Sequence, residues 1–276
     1  MKIAQFRENN RARVGLISGE NIQPLDFEGD MIEFITKTYS PEEIPASGPA
    51  IPLSEVELAA PVSRPGKVIA IGLNYMDHAK EGKAEVPASP LVFAKFSSSV
   101  TGPYDTVSWS ESITKKVDFE AELAAVIGKE TRNCPEEKAL ESVFGYTCAN
   151  DVSARDLQFG DGQWVRGKSL DTFCPVGPWI VSADEIEDPQ NLQIQSRLNG
   201  EVMQYSNTKN MIFPVAFLVS FMSRHFTLFP GDLILTGTPS GVGVFREPSI
   251  YMKDGDEIVV EIEAIGQLKN TCRVSL

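Results

Sequence analysis

The sequence predicts an α+β fold: a rolled or sandwiched mixed β-sheet preceded by a small β-rich N-terminal domain. Three observations predict it. Short apolar runs bounded by Gly, Pro or polar clusters recur along the chain, helix candidates are few, and no repeating βαβ rhythm appears. With 276 residues, the chain makes one large or two modest domains.

The first 40 residues alternate KIAQF, a polar RENNR, VGLI and a GEN turn, the pattern of a meander, and a short amphipathic segment follows over 31–39. Residues 41–65 hold six prolines and little periodicity, which predicts an extended linker. The domain boundary is therefore placed near residue 65, with residues 1–65 and 66–276 as the two units. Beyond it, VIAIGL, PLVFAKF, DFEAELAAVIG and FGYTCAND read as strands. Asn199-Gly200 between LQIQSRL and EVMQY predicts a two-residue type I′ hairpin, because both central positions need positive φ. Pro214 opens a helix over VAFLVSFMSRHF as its first residue. Pro230-Gly231-Asp232 then turns into LILT, and Asp254-Gly255 into DEIVVEIE and a last strand near NTCRVSL.

Composition narrows the function classes. The net charge of −13 repels a phosphate backbone, which argues against nucleic acid. Two histidines, His78 and His225, exclude a site of three imidazoles, so a metal here is held by oxygen. Four scattered cysteines without a C-x-x-C pair read as free, mostly buried thiols in a reducing compartment. No apolar N-terminal leader and no stretch near 18 apolar residues is present, so the expectation is a soluble cytoplasmic protein with no membrane partner.

Strand alternation in 118–127 puts Phe119, Ala121, Leu123, Ala125 and Ile127 on one face and Glu120 and Glu122 on the other. The two acids would stand about 6.6 Å apart at Cα, within reach of one cation. An isolated E-x-E strand more often faces water, but this face turns apolar at Ala124 and Val126, as at the lip of a buried cleft. A second constellation follows an apolar strand: if a helical turn starts there, Asp151, Arg155 and Gln158 share a face at i, i+4 and i+7. An Asp capping that turn and pairing with Arg155 explains the spacing equally well. Glu120, Glu122 and Asp151 together suit a hard ion such as Mg²⁺ or Mn²⁺, with coordination positions left for substrate oxygens.

These residues resemble a known family, the fumarylacetoacetate hydrolases, across most of residues 65–276. The matching runs are GLNY with DHA and Glu81, DFE with Glu122-Leu123, NDVSARD, GKS with DTF, and TGTP with GVG. The resemblance implies a mixed β-sandwich roll, usually a homodimer, with Mg²⁺ (or Mn²⁺ or Ca²⁺) on Glu120, Glu122 and Asp151. It also implies small anionic keto-acid substrates: acylpyruvates, related β-diketo acids or oxaloacetate. In this context Lys168 becomes an enolate stabiliser, and His78, oriented by Glu81 at i+3, a base that activates water. Taken alone, that pair would sooner be a surface helix contact. The glycine and KAEVPASP after it suggest a lid that completes the pair on closing.

Arg155 and Gln158 are candidates for substrate oxygens, Thr238 for a pyruvate carboxylate, and Lys95 for a further substrate contact. GTPSGVG lacks the Gly-Lys-Ser/Thr ending of a phosphate loop, and His225 belongs to a helix terminus. The expected activity is hydrolysis of the carbon–carbon bond of an acylpyruvate. The alternatives are oxaloacetate decarboxylation or keto–enol tautomerisation, isomerisation of a hydroxymuconate-type diacid, and a non-catalytic metal-binding module.

Overall fold

Strands dominate the computed structural model, which describes residues 1–9, 11–37 and 44–275. Twelve strands form the main sheet. Its order from one edge is Ile51–Pro52, Asn21–Pro24, Arg11–Ser18, Lys2–Glu8, Cys174–Ser182, Val143–Asn150, Ala121–Ile127, Leu233–Leu235, Val68–Gly72 and Leu91–Lys95. A second sheet runs Glu201–Asn207, Gln193–Leu198, Glu257–Ile262, Gly266–Ser275, Thr106–Ser110. Most neighbours are antiparallel, but Leu233–Leu235 runs parallel to Val68–Gly72 and Gly266–Ser275 parallel to Thr106–Ser110. The expected mixed sandwich with few helices is the observed architecture.

The strand Ala121–Ile127 is buried on both faces, and its two faces serve different cores. Leu123, Ala125 and Ile127 pack with Ile194, Val260 and Ile262 of the second sheet and with Leu218 and Met222 of the helix Val215–His225. Ala124 and Val126 pack instead with Ile3, Val14, Leu25, Met31 and Phe34 from the N-terminal segment. Full burial of one such aliphatic side chain contributes roughly 1.5–3 kcal/mol, so both faces are anchored. The cleft expected behind Glu122 is thus closed by N-terminal residues.

Several local expectations change. The N-terminal strands extend the main sheet, because Lys2–Glu8 pairs antiparallel with Cys174–Ser182 through Ile3↔Ile180. The described part of the expected linker is woven in rather than free. Ile51–Pro52 pairs with Asn21–Pro24, and Glu57–Ala59 pairs with Lys2–Glu8. Leu58, Ala60 and Val62 are buried there, and Gln5 Nε2 donates to Ala60 O at 3.0 Å. Pro52 ends the edge strand Ile51–Pro52, where a missing N–H costs little, and Pro45, Pro49, Pro61 and Pro65 lie between the strands; Pro41 lies outside the described residues.

The amphipathic segment is a helix over Met31–Thr36 with an Asp30/Glu33 capping box, and Tyr39 also lies outside the described residues. Pro214 is the N-cap of the helix Val215–His225 rather than its first residue, since its ψ of 160° is extended. The Asn199-Gly200 hairpin is as expected, with φ of 52° and 84°. Among the described residues no helix is long and apolar enough to cross a membrane.

Candidate active site

Sheet register assembles the three acids. Ala121 pairs with Asn150, so Glu120 and Asp151 stand opposite each other one step beyond the ladder. Asp151 N donates to Glu120 O at 2.9 Å, and Glu120 N donates to Asn150 Oδ1 at 2.9 Å. The carboxylates of Glu120, Glu122 and Asp151 are buried, and each offers an oxygen within 4.8 Å of the others. The helix here begins only at Arg155, because Ser153–Ala154 first pairs with Val117–Asp118. Asp151 therefore neither caps that helix nor shares its face, and it reaches the site from a strand end.

Three buried cations face these acids. Lys168 Nζ lies 2.8 Å from Glu120 Oε2 and 2.7 Å from Asp151 Oδ2. Lys95 Nζ lies 2.5 Å from Asp151 Oδ1 and also donates to Val152 O. Arg155 Nη2 is 2.7 Å from Glu120 Oε1, while its Nε donates to Asp118 Oδ2 and its Nη1 to Gln158 Oε1. Lys168 reaches this point because Gly167 lies against the neighbouring helix: a Cβ there would fall 2.6 Å from Gln158 N.

The electrostatics follow from burial and neighbours. Burial alone would raise Glu120, but the charges of Lys168, Arg155 and His78 outweigh it and bring the carboxyl down to about 2. Burial likewise opposes charge on Lys168, yet Asp151 and Glu120 hold its pKa above the usual lysine value. Glu122 goes the other way. Burial, with Asp151 and Glu120 beside it, pushes it well up.

The glycine-rich run after Leu233–Leu235 is a row of backbone donors for carboxylates. Gly237 N donates to Glu122 Oε2 at 2.7 Å, Gly241 N to Glu81 Oε1 at 2.9 Å, and Gly243 N and Val244 N to Asp118 at 2.8 and 3.0 Å. Gly241 has φ of +104°, and a Cβ on it would sit 2.2 Å from Met203 O, so only glycine follows this path. Glu81 also meets His78 Nδ1 at 3.3 Å, so the pair is already formed on the helix Met76–Glu81. That contact favours a proton on Nδ1 and a free lone pair on Nε2.

A pocket of about 200 Å³ brings together His78, Glu120, Arg155, Gln158, Lys168 and Thr238. Thr238 Oγ1 donates to Ala121 O and accepts from Gln204 Nε2. Lys95 is not among the residues that wall this pocket; it is buried with Asp151. His225 ends its helix, with Nδ1 2.8 Å from Phe221 O.

Two residues of the site went unassigned in the sequence. Asp118 clamps Arg155 to the glycine-rich loop, and Gln204 links Ala121 N, Thr238 and Pro239 O. Gln204 does carry a signal, since it stands beside Ser206 on the buried face of an alternating strand.

The residues fit a divalent ion. Four buried carboxylates, those of Asp118, Glu120, Glu122 and Asp151, face three cations, those of Lys95, Lys168 and Arg155. Glu122 pairs with no basic side chain among the described residues, so an added cation would supply its missing counter-charge. Three hard oxygens suit Mg²⁺ or Mn²⁺.

Comparison with known proteins gives the family. Residues 67–273 match the family model described as fumarylacetoacetate (FAA) hydrolase, C-terminal, and residues 1–61 match one described as Rv2993c-like, N-terminal. The oxaloacetate tautomerase Fahd2a of Rattus norvegicus is 43% identical over 98% of this chain and 91% of its own length. The human oxaloacetate tautomerase FAHD2A has the same identity and coverage. Among solved structures, the fumarylacetoacetate hydrolase of Exiguobacterium antarcticum superposes with a TM-score of 0.89 at 39% identity over the whole of both chains. The 5-carboxymethyl-2-hydroxymuconate delta-isomerase of Mycobacterium smegmatis does so at 0.83 and 34%, also over both whole chains.

Proposed function

The chain belongs to the fumarylacetoacetate hydrolase family, and on that premise we propose that it is a divalent-metal-dependent keto–enol tautomerase of a small 2-oxo diacid such as oxaloacetate. The observation that carries the reading is a small pocket walled by one proton carrier, His78, with Lys168, Arg155 and Glu120, the last of which stands within 4.8 Å of the other two buried carboxylates, Glu122 and Asp151. Tautomerisation needs one base and a stabilised enolate but no attacking water, and a volume of about 200 Å³ suits a small acid. The relatives named as oxaloacetate tautomerases support it, and they favour this reading over the carbon–carbon hydrolysis expected first.

The side chains divide the work. Glu120, Glu122 and Asp151 would hold the ion, which when bound supplies a Lewis acid for the enolate oxygen. His78 Nε2 moves the proton at C3, while Glu81 keeps the imidazole turned and its Nδ1 protonated. Lys168 has three N–H donors, of which two go to Glu120 and Asp151, so one remains for substrate. Arg155 keeps one Nη1 hydrogen free after serving Asp118, Glu120 and Gln158, and can meet a carboxylate. Hydrolysis of an acylpyruvate is the second reading, favoured by the His78–Glu81 pair, which could equally activate a water.

One experiment separates them. Enol oxaloacetate is mixed with protein and Mg²⁺ and the loss of enol absorbance is followed against the buffer rate; acetylpyruvate is assayed in parallel for release of pyruvate. Acceleration of the first that His78→Ala lowers by about 10²- to 10⁴-fold supports the tautomerase. Pyruvate release without enol acceleration replaces it with the hydrolase, and no effect on either substrate refutes both.

A further inference from the structure

We propose that Phe245 is a specificity-determining residue that limits how long a substrate the pocket takes; the inference rests on the keto-acid reading above. Polarity and burial give the pocket a direction. Glu120, Arg155, Gln158, Lys168 and Thr238 are all buried and form its floor, whereas Phe245 is 40% exposed and stands at the mouth. The Phe245 ring lies 5.7 Å from the His78 ring, centroid to centroid. It also rests on Gly82, where a Cβ would come within 3.2 Å of the ring, so the bare glycine provides its seat.

The ring is presented by a segment without slack. Gly243 N and Val244 N are both bound by Asp118, Gly241 N by Glu81, and Arg246 Nε returns to Gly241 O at 3.2 Å. A Cβ on Gly243 would lie 1.8 Å from Ile250 O, and Ile250 N donates to Gly243 O at 3.0 Å, so this backbone packs directly against that of Ile250. Phe159 also borders the mouth, but it is 60% exposed, so far less of it is packed against the protein. A 2-oxo acid with its charged end on Arg155 and Lys168 must send its C3 substituent past His78, where proton transfer happens, and there it meets Phe245.

The test uses straight-chain 2-oxo acids from three to eight carbons, with Mg²⁺, titrated calorimetrically into the wild type, Phe245→Ala and Phe245→Leu, each checked for an unchanged melting profile. The wild type is expected to lose affinity at least tenfold beyond a short chain length. In Phe245→Ala that cut-off moves to longer acids, with affinity rising about three- to fourfold for each methylene newly buried, and Phe245→Leu falls between. The same cut-off in wild type and Phe245→Ala overturns the proposal. So does an equal loss for all acids including pyruvate, which would place Phe245 in the support of His78. Failure of the wild type to bind any of these acids overturns the length limit, and failure to bind oxaloacetate as well overturns the keto-acid reading itself.

Discussion

Asp118→Asn tests the claim that one buried carboxylate holds the site together. Its two oxygens accept from Phe119 N, Gly243 N, Val244 N and Arg155 Nε, and Arg155 Nη2 lies 2.8 Å away. Every one of these partners is an N–H, so whichever way an amide is turned, its NH₂ faces donors. The change leaves volume nearly constant but turns one acceptor oxygen into a donor facing donors and strips the guanidinium of one of two counter-ions, since Glu120 remains. Breaking one side of a buried ion pair costs about 3–5 kcal/mol. At about 2–4 °C per kcal/mol for a chain of this size, the melting temperature should fall by roughly 10 °C. Thermal unfolding followed by circular dichroism, with calorimetry as a second probe, reads this directly. A fall of under 2 °C would refute the reasoning, because Arg155 and the loop would then have other sufficient partners.

Two further outcomes follow from the same electrostatics. Glu122→Gln should act in opposite directions with and without metal. Removing a carboxylate that burial, Asp151 and Glu120 all disfavour should raise the melting temperature in EDTA, while Mg²⁺ affinity by calorimetry falls at least tenfold; unchanged affinity removes Glu122 from the ligand set. The buried thiols should make the fold sensitive to alkali. Burial pushes both Cys174 and Cys272 up to about 12. In the folded chain they stay protonated where the unfolded chain ionises, near pH 9. Their contribution is complete below pH 9 and is lost as pH rises towards 12, by roughly 1.4 kcal/mol per thiol for each pH unit. Urea unfolding at pH 8, 9, 10 and 11 checks it, and Cys272→Ser should flatten the slope; an identical slope would contradict the assignment.

The parts of the site legible in the sequence were those with a local period. Glu120 and Glu122 show through strand alternation, and Asp151 through its place after an apolar run. What the sequence hid was pairing between distant segments. The ladder register that sets Asp151 beside Glu120 joins positions about 30 residues apart, and Lys95 meets Asp151 from 56 residues away. A lysine in FAKFSSSV gives no local sign that its charge is spent on a buried acid. The helix expected from Asp151 failed for the same reason: two residues, Ser153 and Ala154, are claimed by Val117–Asp118 before a helix can start. The glycine-rich run was legible only as something other than a phosphate loop, since its use depends on carboxylates brought from three other segments.

The pairing of Ile3 with Ile180 has a consequence in time. Lys2–Glu8 thus borders a strand made some 170 residues after it, and at about 5–20 residues per second the wait is roughly 10–35 s. Lys2–Glu8 can meanwhile form its local ladder with Arg11–Ser18. On its other edge residues 5–7 take Glu57–Ala59, but Lys2 and Ile3 have no strand partner there until Val181 and Ile180 are made, and Ala124 and Val126, which Ile3 and Val14 help to cover, also come long after them. The nascent chain therefore carries a short open stretch of strand edge at Lys2 and Ile3 until Cys174–Ser182 emerges to close it.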